Sequence, residues 1–274
     1  DEYRQNRLGL NRKELIGLDK IEYPDNNDIF YHQNISACLE NSDVYLYNPN
    51  VENHKYYELT EQIVKYISLI LQPGLITPTH VERCMQLAFN AKYNSGCLSR
   101  QVGAVVTGED FSIRSVGWND VPKGQVSCNL RCVEDYCKNK DEYELEDEYF
   151  SEIMNEINQS LKEKDIQEKK AGKCFSYCFK DIYTGWTGEK NQVHTRALHA
   201  EENAFLQIAK YGGAKIQGGK LFTTASPCEL CSKKAYQLGI KEIYYIDPYP
   251  GISRKHILSF GKSENPKMIF FQGA

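Results

Sequence analysis

Two short runs set the terms on which this chain can fold. His199-Ala200-Glu201 opens one helical pattern, and Pro227-Cys228-Glu229-Leu230-Cys231 opens another further along. A C-x-x-C pair at a helix start delivers two sulfurs from a single turn. The partial positive charge of that helix end favours thiolate over thiol. Zinc takes thiolate and imidazole in a tetrahedral set, so His199, Cys228 and Cys231 supply three ligands and leave the fourth position to water. Three protein ligands and one open position describe a catalytic site rather than a structural one. Each run alone says little, since C-x-x-C also serves as a redox pair and H-A-E is ordinary helix sequence. Together they demand a fold that brings two helix starts to one point.

Glu201 stands close behind His199, near the ion without being required to bind it. A carboxylate beside activated water can take its proton and deliver it to a leaving amine.

The surrounding pattern supplies such a fold. Thr77 reads as a helix cap with Pro78 in the first position, and Val81, Cys84, Met85 and Ala88 mark the buried face up to a stop at Gly96. Val102 to Thr107 is a short apolar strand, Gly108-Glu109-Asp110 a turn, and Ile113 to Gly117 the returning strand. A helix from His199 through Ala204, Phe205 and Ile208 ends at Gly212-Gly213. Leu221 to Ala225 is a strand, Cys228 to Leu238 a helix stopped by Gly239, and Glu242 to Asp247 a strand. Strands joined through helices predict an α/β domain, with a sheet largely parallel beyond its first hairpin and covered on both faces.

Residues 125–190 interrupt this order. Asp141 to Glu152 holds seven acids and no base, and Ile153, Ile157 and Leu161 predict one exposed amphipathic helix, so a solvated helical excursion is expected. Ahead of Thr77, residues 56–71 carry a helical stripe at Leu59, Ile63, Tyr66, Ile67 and Ile70, stopped by Pro73-Gly74. Residues 1–50 are polar and broken around Pro24 to Asn27, with a helical stretch at Asn34 to Asn41 and a strand-like one at Asp43 to Tyr47. The chain begins at Asp1 rather than Met and ends directly after another strand-like run, so a piece of a longer polypeptide is expected.

The net charge of −4 lacks the electrostatic footprint of a dedicated nucleic-acid binder. No apolar run approaches the ~18 residues a membrane span needs, and no signal-peptide pattern is present. Ten cysteines in 274 residues are too sparse for a disulfide scaffold, which predicts reduced thiols in a cytoplasm. Gly261-Lys262-Ser263 hints at a phosphate-binding loop, but His256 stands where that motif needs glycine.

The paired zinc runs carry the signature of zinc nucleobase deaminases. With Cys97-Leu98-Ser99-Arg100-Gln101-Val102-Gly103-Ala104-Val105-Val106 and Gly117-Trp118-Asn119-Asp120-Val121-Pro122-Lys123-Gly124, the chain from about Thr77 resembles the deoxycytidylate deaminase family. The resemblance implies a cytidine-deaminase-like three-layer α/β/α sandwich with a mixed sheet over residues 77–274, its insertion at 125–190. It implies bound Zn2+, Glu201 as acid and base, and Asn119, Ala200 and Val102 as substrate contacts, with Arg100 toward a phosphate and Lys123 beside it. A site built around a free 3′-hydroxyl leaves its polar group unpaired when a polymer binds, which disfavours nucleic acid.

The spelling of the Leu98 and Gly117 runs is closest to bacterial anti-phage dCTP deaminases, which join a P-loop kinase-like domain to a deaminase domain. On that resemblance residues 1–50 are the closing remnant of the kinase-like domain, residues 51–76 a connecting helix, and any P-loop lies upstream of Asp1. The implied reaction is hydrolysis of a free deoxycytidine nucleotide, dCTP or dCMP, to the deoxyuridine nucleotide and ammonia, depleting the pool during phage infection. A housekeeping dCMP deaminase supplying dUMP is the alternative. Editing of a nucleic-acid base and a zinc-stabilised regulatory module are weaker, because of Asn119 and the intact Glu201 respectively. A homo-oligomer is expected by family analogy. Cys128, Cys132, Cys137, Cys174 and Cys178 are expected as reduced thiols rather than the second, structural zinc site of some members.

Overall fold

The computed structural model describes residues 8–22, 33–48, 56–138, 148–164, 175–188, 195–212, 215–248, 253–261 and 264–273. Pro24 to Asn27, the first part of the acidic run from Asp141, Cys174, Gly213 and Lys262-Ser263 lie outside the described residues. In chain order the elements are α1 (Arg12–Glu22), α2 (Ile35–Glu40), α3 (Tyr56–Leu71), α4 (His80–Lys92), β1 (Gly103–Thr107), β2 (Ile113–Trp118), α5 (Val133–Lys138), α6 (Glu148–Lys164), α7 (Phe179–Thr187), α8 (Ala200–Tyr211), β3 (Lys220–Ala225), α9 (Glu229–Gln237), β4 (Glu242–Asp247), α10 (Ser253–His256) and β5 (Lys267–Phe270).

The sheet runs β2-β1-β3-β4-β5. β1 is antiparallel to both β2 and β3, whereas β3, β4 and β5 are parallel. The parallel part starts at β3, the first strand beyond the hairpin, as expected, and only the junction of β3 with β1 is antiparallel. Side chains alternate across the sheet as strand geometry requires. Ala104, Val106, Leu221 and Ile243 face one core with Ala200, Ala204, Phe205 and Ala235, and Val105, Phe222 and Ile246 face the other with Cys84, Met85 and Ala88. These two apolar faces give a three-layer α/β/α domain. Full burial of a residue such as Leu221 or Phe222 contributes about 1.5–3 kcal/mol.

Two glycines fix how closely the helices approach. A Cβ on Gly103 would collide with the backbone of Ala88 and Lys92 in α4, and one on Gly117 with the backbone of Ala200 and Ala204 in α8. Gly117 thus lets the first turn of α8 lie directly on β2. Helix α4 starts later than expected. Thr79, not Thr77, is its cap, in a reciprocal capping box with Glu82. Glu82 also receives Lys65 at 2.8 Å and the Tyr66 hydroxyl at 3.0 Å, both from α3. Burial alone would raise the Glu82 pKa, but the hydrogen bonds from Lys65, Thr79 and Tyr66 prevail and lower it to about 2. The α3 stripe is split: Tyr66 is buried, while Ile67 and Ile70 are exposed.

Asn34 caps α2 through Ala37 N–H, but Asp43 to Tyr47 forms only a single bridge, Tyr45 to Gly273. Buried Tyr45 packs edge-on against Phe271, joining this segment to the end of the chain.

The insertion departs most from expectation. Instead of an exposed excursion, α5, α6 and the start of α7 enclose a third core of Val133, Tyr136, Phe150, Met154 and Tyr177. Ile157 and Leu161 pack against its edge. Phe150 and Met154 carry the buried face of α6, one turn from the Ile153 and Ile157 that the sequence pattern picked out.

Candidate active site

The two helix starts meet as the paired runs require. His199 is the cap residue of α8 and Cys228 the cap residue of α9, and neither side chain makes the usual capping hydrogen bond. Cys228 Sγ lies 3.3 Å and Cys231 Sγ 3.5 Å from His199 Nδ1. Among the described residues, these three form the group of His, Cys, Asp or Glu that could hold a metal ion, with ligand atoms within 4.8 Å of one another. Two sulfurs and one imidazole nitrogen, the sulfurs buried, are the donor set zinc favours. Hydrogen bonding from Cys231 lowers the Cys228 thiol to about 4, with His199 adding to the effect. The neighbouring Cys228 sulfur and burial push Cys231 up.

The ligand turn is braced from several sides. Asp120, just past β2, forms a bridge with Leu198, and Asn203 Nδ2 donates to the Trp118 carbonyl at 3.0 Å. Lys234 of α9 pairs with Glu202 of α8, tying the two ligand-bearing helices together.

Glu201, in the first turn of α8, is only 4% exposed. Burial raises its pKa to about 7, because a carboxylate withdrawn from water loses its hydration. A carboxyl held near neutrality can both accept and release a proton at physiological pH. It lines a cavity of about 220 Å³ together with His199 and Cys228.

Asn119, Val102, Ala200 and Arg100 all line the same cavity. Asn119 has a task that sequence reading did not reveal. Its Oδ1 accepts from Val102 N–H at 2.7 Å and its Nδ2 donates to the Arg100 carbonyl at 2.7 Å. Its own N–H donates to the Val102 carbonyl at 3.1 Å. Asn119 is thus a clamp on the loop leading into β1, engaging both backbone groups of Val102, whose side chain packs against the core of Ala104 and Val106. Ala200 is fully buried under the cavity floor. The Arg100 guanidinium pairs with Asp247 at the end of β4, so a carboxylate already meets its charge. Lys123 is exposed and is not part of the lining.

Sequence reading missed the far wall. Cys128, Arg131, Cys178, Phe179, Lys180 and Arg196 come from the insertion and the segment just before His199. The one available signal was position: Thr195-Arg196-Ala197 immediately precedes a ligand and must pass the cavity. Cys128 and Cys178 hydrogen-bond each other, lowering Cys128 to about 7 and pushing Cys178 up. Cys137 instead points at the Met154 carbonyl at 3.7 Å.

Residues 78–247 match the family described as the cytidine and deoxycytidylate deaminase zinc-binding region. This chain belongs to that family. Its deaminase domain is therefore a zinc-binding one, and His199, Cys228 and Cys231 fit the ion by donor type and arrangement. The deoxycytidylate deaminase of Enterobacteria phage T2 is 29% identical over 166 residues, covering 60% of this chain and 78% of the phage protein. That of Enterobacteria phage T4 is 30% identical over 170 residues, covering 60% and 76%. That of Schizosaccharomyces pombe is 25% identical over 235 residues, covering 84% and 53%. Among the described residues no helix is long and apolar enough to cross a membrane.

Proposed function

We propose that this deaminase hydrolyses the 4-amino group of a free deoxycytidine nucleotide, dCMP or dCTP, giving the deoxyuridine nucleotide and ammonia. The observation that carries this reading is Glu201: a buried carboxyl whose pKa is raised to about 7, lining the same cavity as His199 and Cys228. Zinc bound by the three ligands makes water acidic enough to serve as a nucleophile at neutral pH. Glu201 accepts the proton that water gives up and hands it to the departing amine, so one side chain serves both transfers. Asn119 holds the loop that carries Val102 against the base, and its amide keeps spare capacity, one hydrogen and one lone pair, for a sugar hydroxyl.

The names of the phage and yeast relatives favour the monophosphate. The case for dCTP, and for depletion of deoxycytidine nucleotides during phage infection, rests on the Leu98–Val105 and Gly117–Pro122 runs. Residues 1–50 are read as the end of a kinase-like domain, 51–76 as a connector, and the working form as a homo-oligomer. The oligomer is open to light scattering in solution.

Rates measured side by side on dCMP, dCTP, deoxycytidine and a single-stranded cytosine oligonucleotide test the function. A nucleotide is expected to be fastest. Faster turnover of the oligonucleotide would overturn the assignment, and a lead of dCMP over dCTP would remove the argument for a dCTP-depleting role.

A further inference from the structure

The C4 amino group and the 5′-phosphate lie at opposite ends of a nucleotide. A chain that sets C4 beside Glu201 therefore needs its anion site on another wall. The residue first in line from sequence, Arg100, has its charge met by Asp247. The far wall holds three other cations, Arg131, Lys180 and Arg196, and Glu201 is the sole carboxylate among the residues lining the cavity.

We propose that Lys180, Arg196 and Arg131 form a phosphate subsite, through which the insertion selects 5′-phosphorylated deoxynucleosides over free nucleosides. This rests on the deaminase reading above and extends it to the choice of substrate class. Lys180 is half-buried in the second position of α7, and no carboxylate among the described residues pairs with it. The partial positive charge at the start of this nine-residue helix adds to its own. Arg196 lies with its guanidinium carbon 4.1 Å above the Phe179 ring, which holds a flexible side chain in place. Arg131 is buried, 4% exposed, and its Nε donates to the Val126 carbonyl at 2.9 Å. Charge-assisted hydrogen bonds from such fixed donors are the strong class for phosphate oxygens. The third core, built around Phe150 and Met154, supports the segments that carry Arg131 and Lys180.

The test compares kcat/KM for dCMP with that for deoxycytidine in the zinc-loaded full chain, and in Lys180→Ala and Arg196→Ala. Each variant is expected to lower the nucleotide-to-nucleoside ratio about tenfold, mostly through KM for the nucleotide, as loss of ~1.4 kcal/mol of binding requires. Lys180→Arg is expected to restore most of the ratio. Inorganic pyrophosphate is expected to inhibit the unaltered protein competitively, and about tenfold more weakly in Lys180→Ala. An unchanged ratio with unchanged pyrophosphate inhibition would overturn the subsite, as would an equal loss on both substrates with zinc content intact. Should the unaltered protein deaminate none of these compounds, the deaminase reading fails. Pyrophosphate binding followed by calorimetry then decides the subsite separately, retained binding in Lys180→Ala counting against it.

Discussion

The cavity has two walls made by different means. Its floor is a backbone construction: two helix starts, a glycine under one of them, and a strand end bridged to the residue before His199 set where three ligand atoms fall. The other wall is a side-chain construction, with Arg131 and Lys180 carried on a segment that has its own small apolar core and Arg196 on the stretch before His199. The floor fixes what chemistry is possible. The far wall bears on which molecule undergoes it. Two walls built so differently should fail independently.

The largest effect is expected at the floor. Cys228→Ala or His199→Ala should lose zinc and all measurable turnover together, because two protein ligands seldom retain the ion. Metal analysis beside activity checks this, and full activity without metal would break the picture. Glu201→Gln comes next: zinc and melting temperature should stay, while kcat falls by ~10²–10⁴ or more. Loss of zinc in that variant would mean that Glu201 belongs to the ligand set instead.

Phe150→Ala attacks the other wall. Removing a buried phenyl costs about 3 kcal/mol at such a site. Hydrogen exchange in α6 and α7 should quicken and KM for the nucleotide rise, with zinc content unchanged. If zinc were released as well, the two walls would be one unit. The smallest effect concerns Glu82, outside both walls. Its folded pKa of about 2 lies below the ordinary 4.5, so its stabilisation is complete above pH 4.5 and is lost as pH falls through about 2. Glu82→Gln should cost about 2 kcal/mol at pH 7, and the gap to the unaltered chain should close between pH 4.5 and 2. Melting curves at several pH values measure it. A gap independent of pH would show that charge is not the cause.

How much of this the sequence displayed follows the same division. The floor was legible because metal chemistry forces residue types and spacing, as in His199-x-Glu201 and Cys228-x-x-Cys231, and because β1, β2, α8, β3, α9 and β4 carry clean periods. Thr77 and Thr79 can both cap, and the Thr79-x-x-Glu82 spacing of a capping box, present in the sequence, is what separates them. The far wall was illegible for a different reason. Cys128 meets Cys178, Val133 meets Tyr177, and Arg100 meets Asp247 across long stretches of chain. Such pairs leave no periodic trace. The dense acids after Asp141 masked Phe150 and Met154, so a helix with a buried face read as a solvated one.

The separate core beneath the far wall has a consequence for descent. A mutation at Lys180 alters a side chain of the insertion, outside the sheet and outside the ligand set, so lineages can vary it without first losing a working metal site. Drift in accepted substrate is then open to single steps, whereas any change at Gly117 must contend with the helix lying on it. Descendants of such a chain should diverge in diet long before they diverge in chemistry.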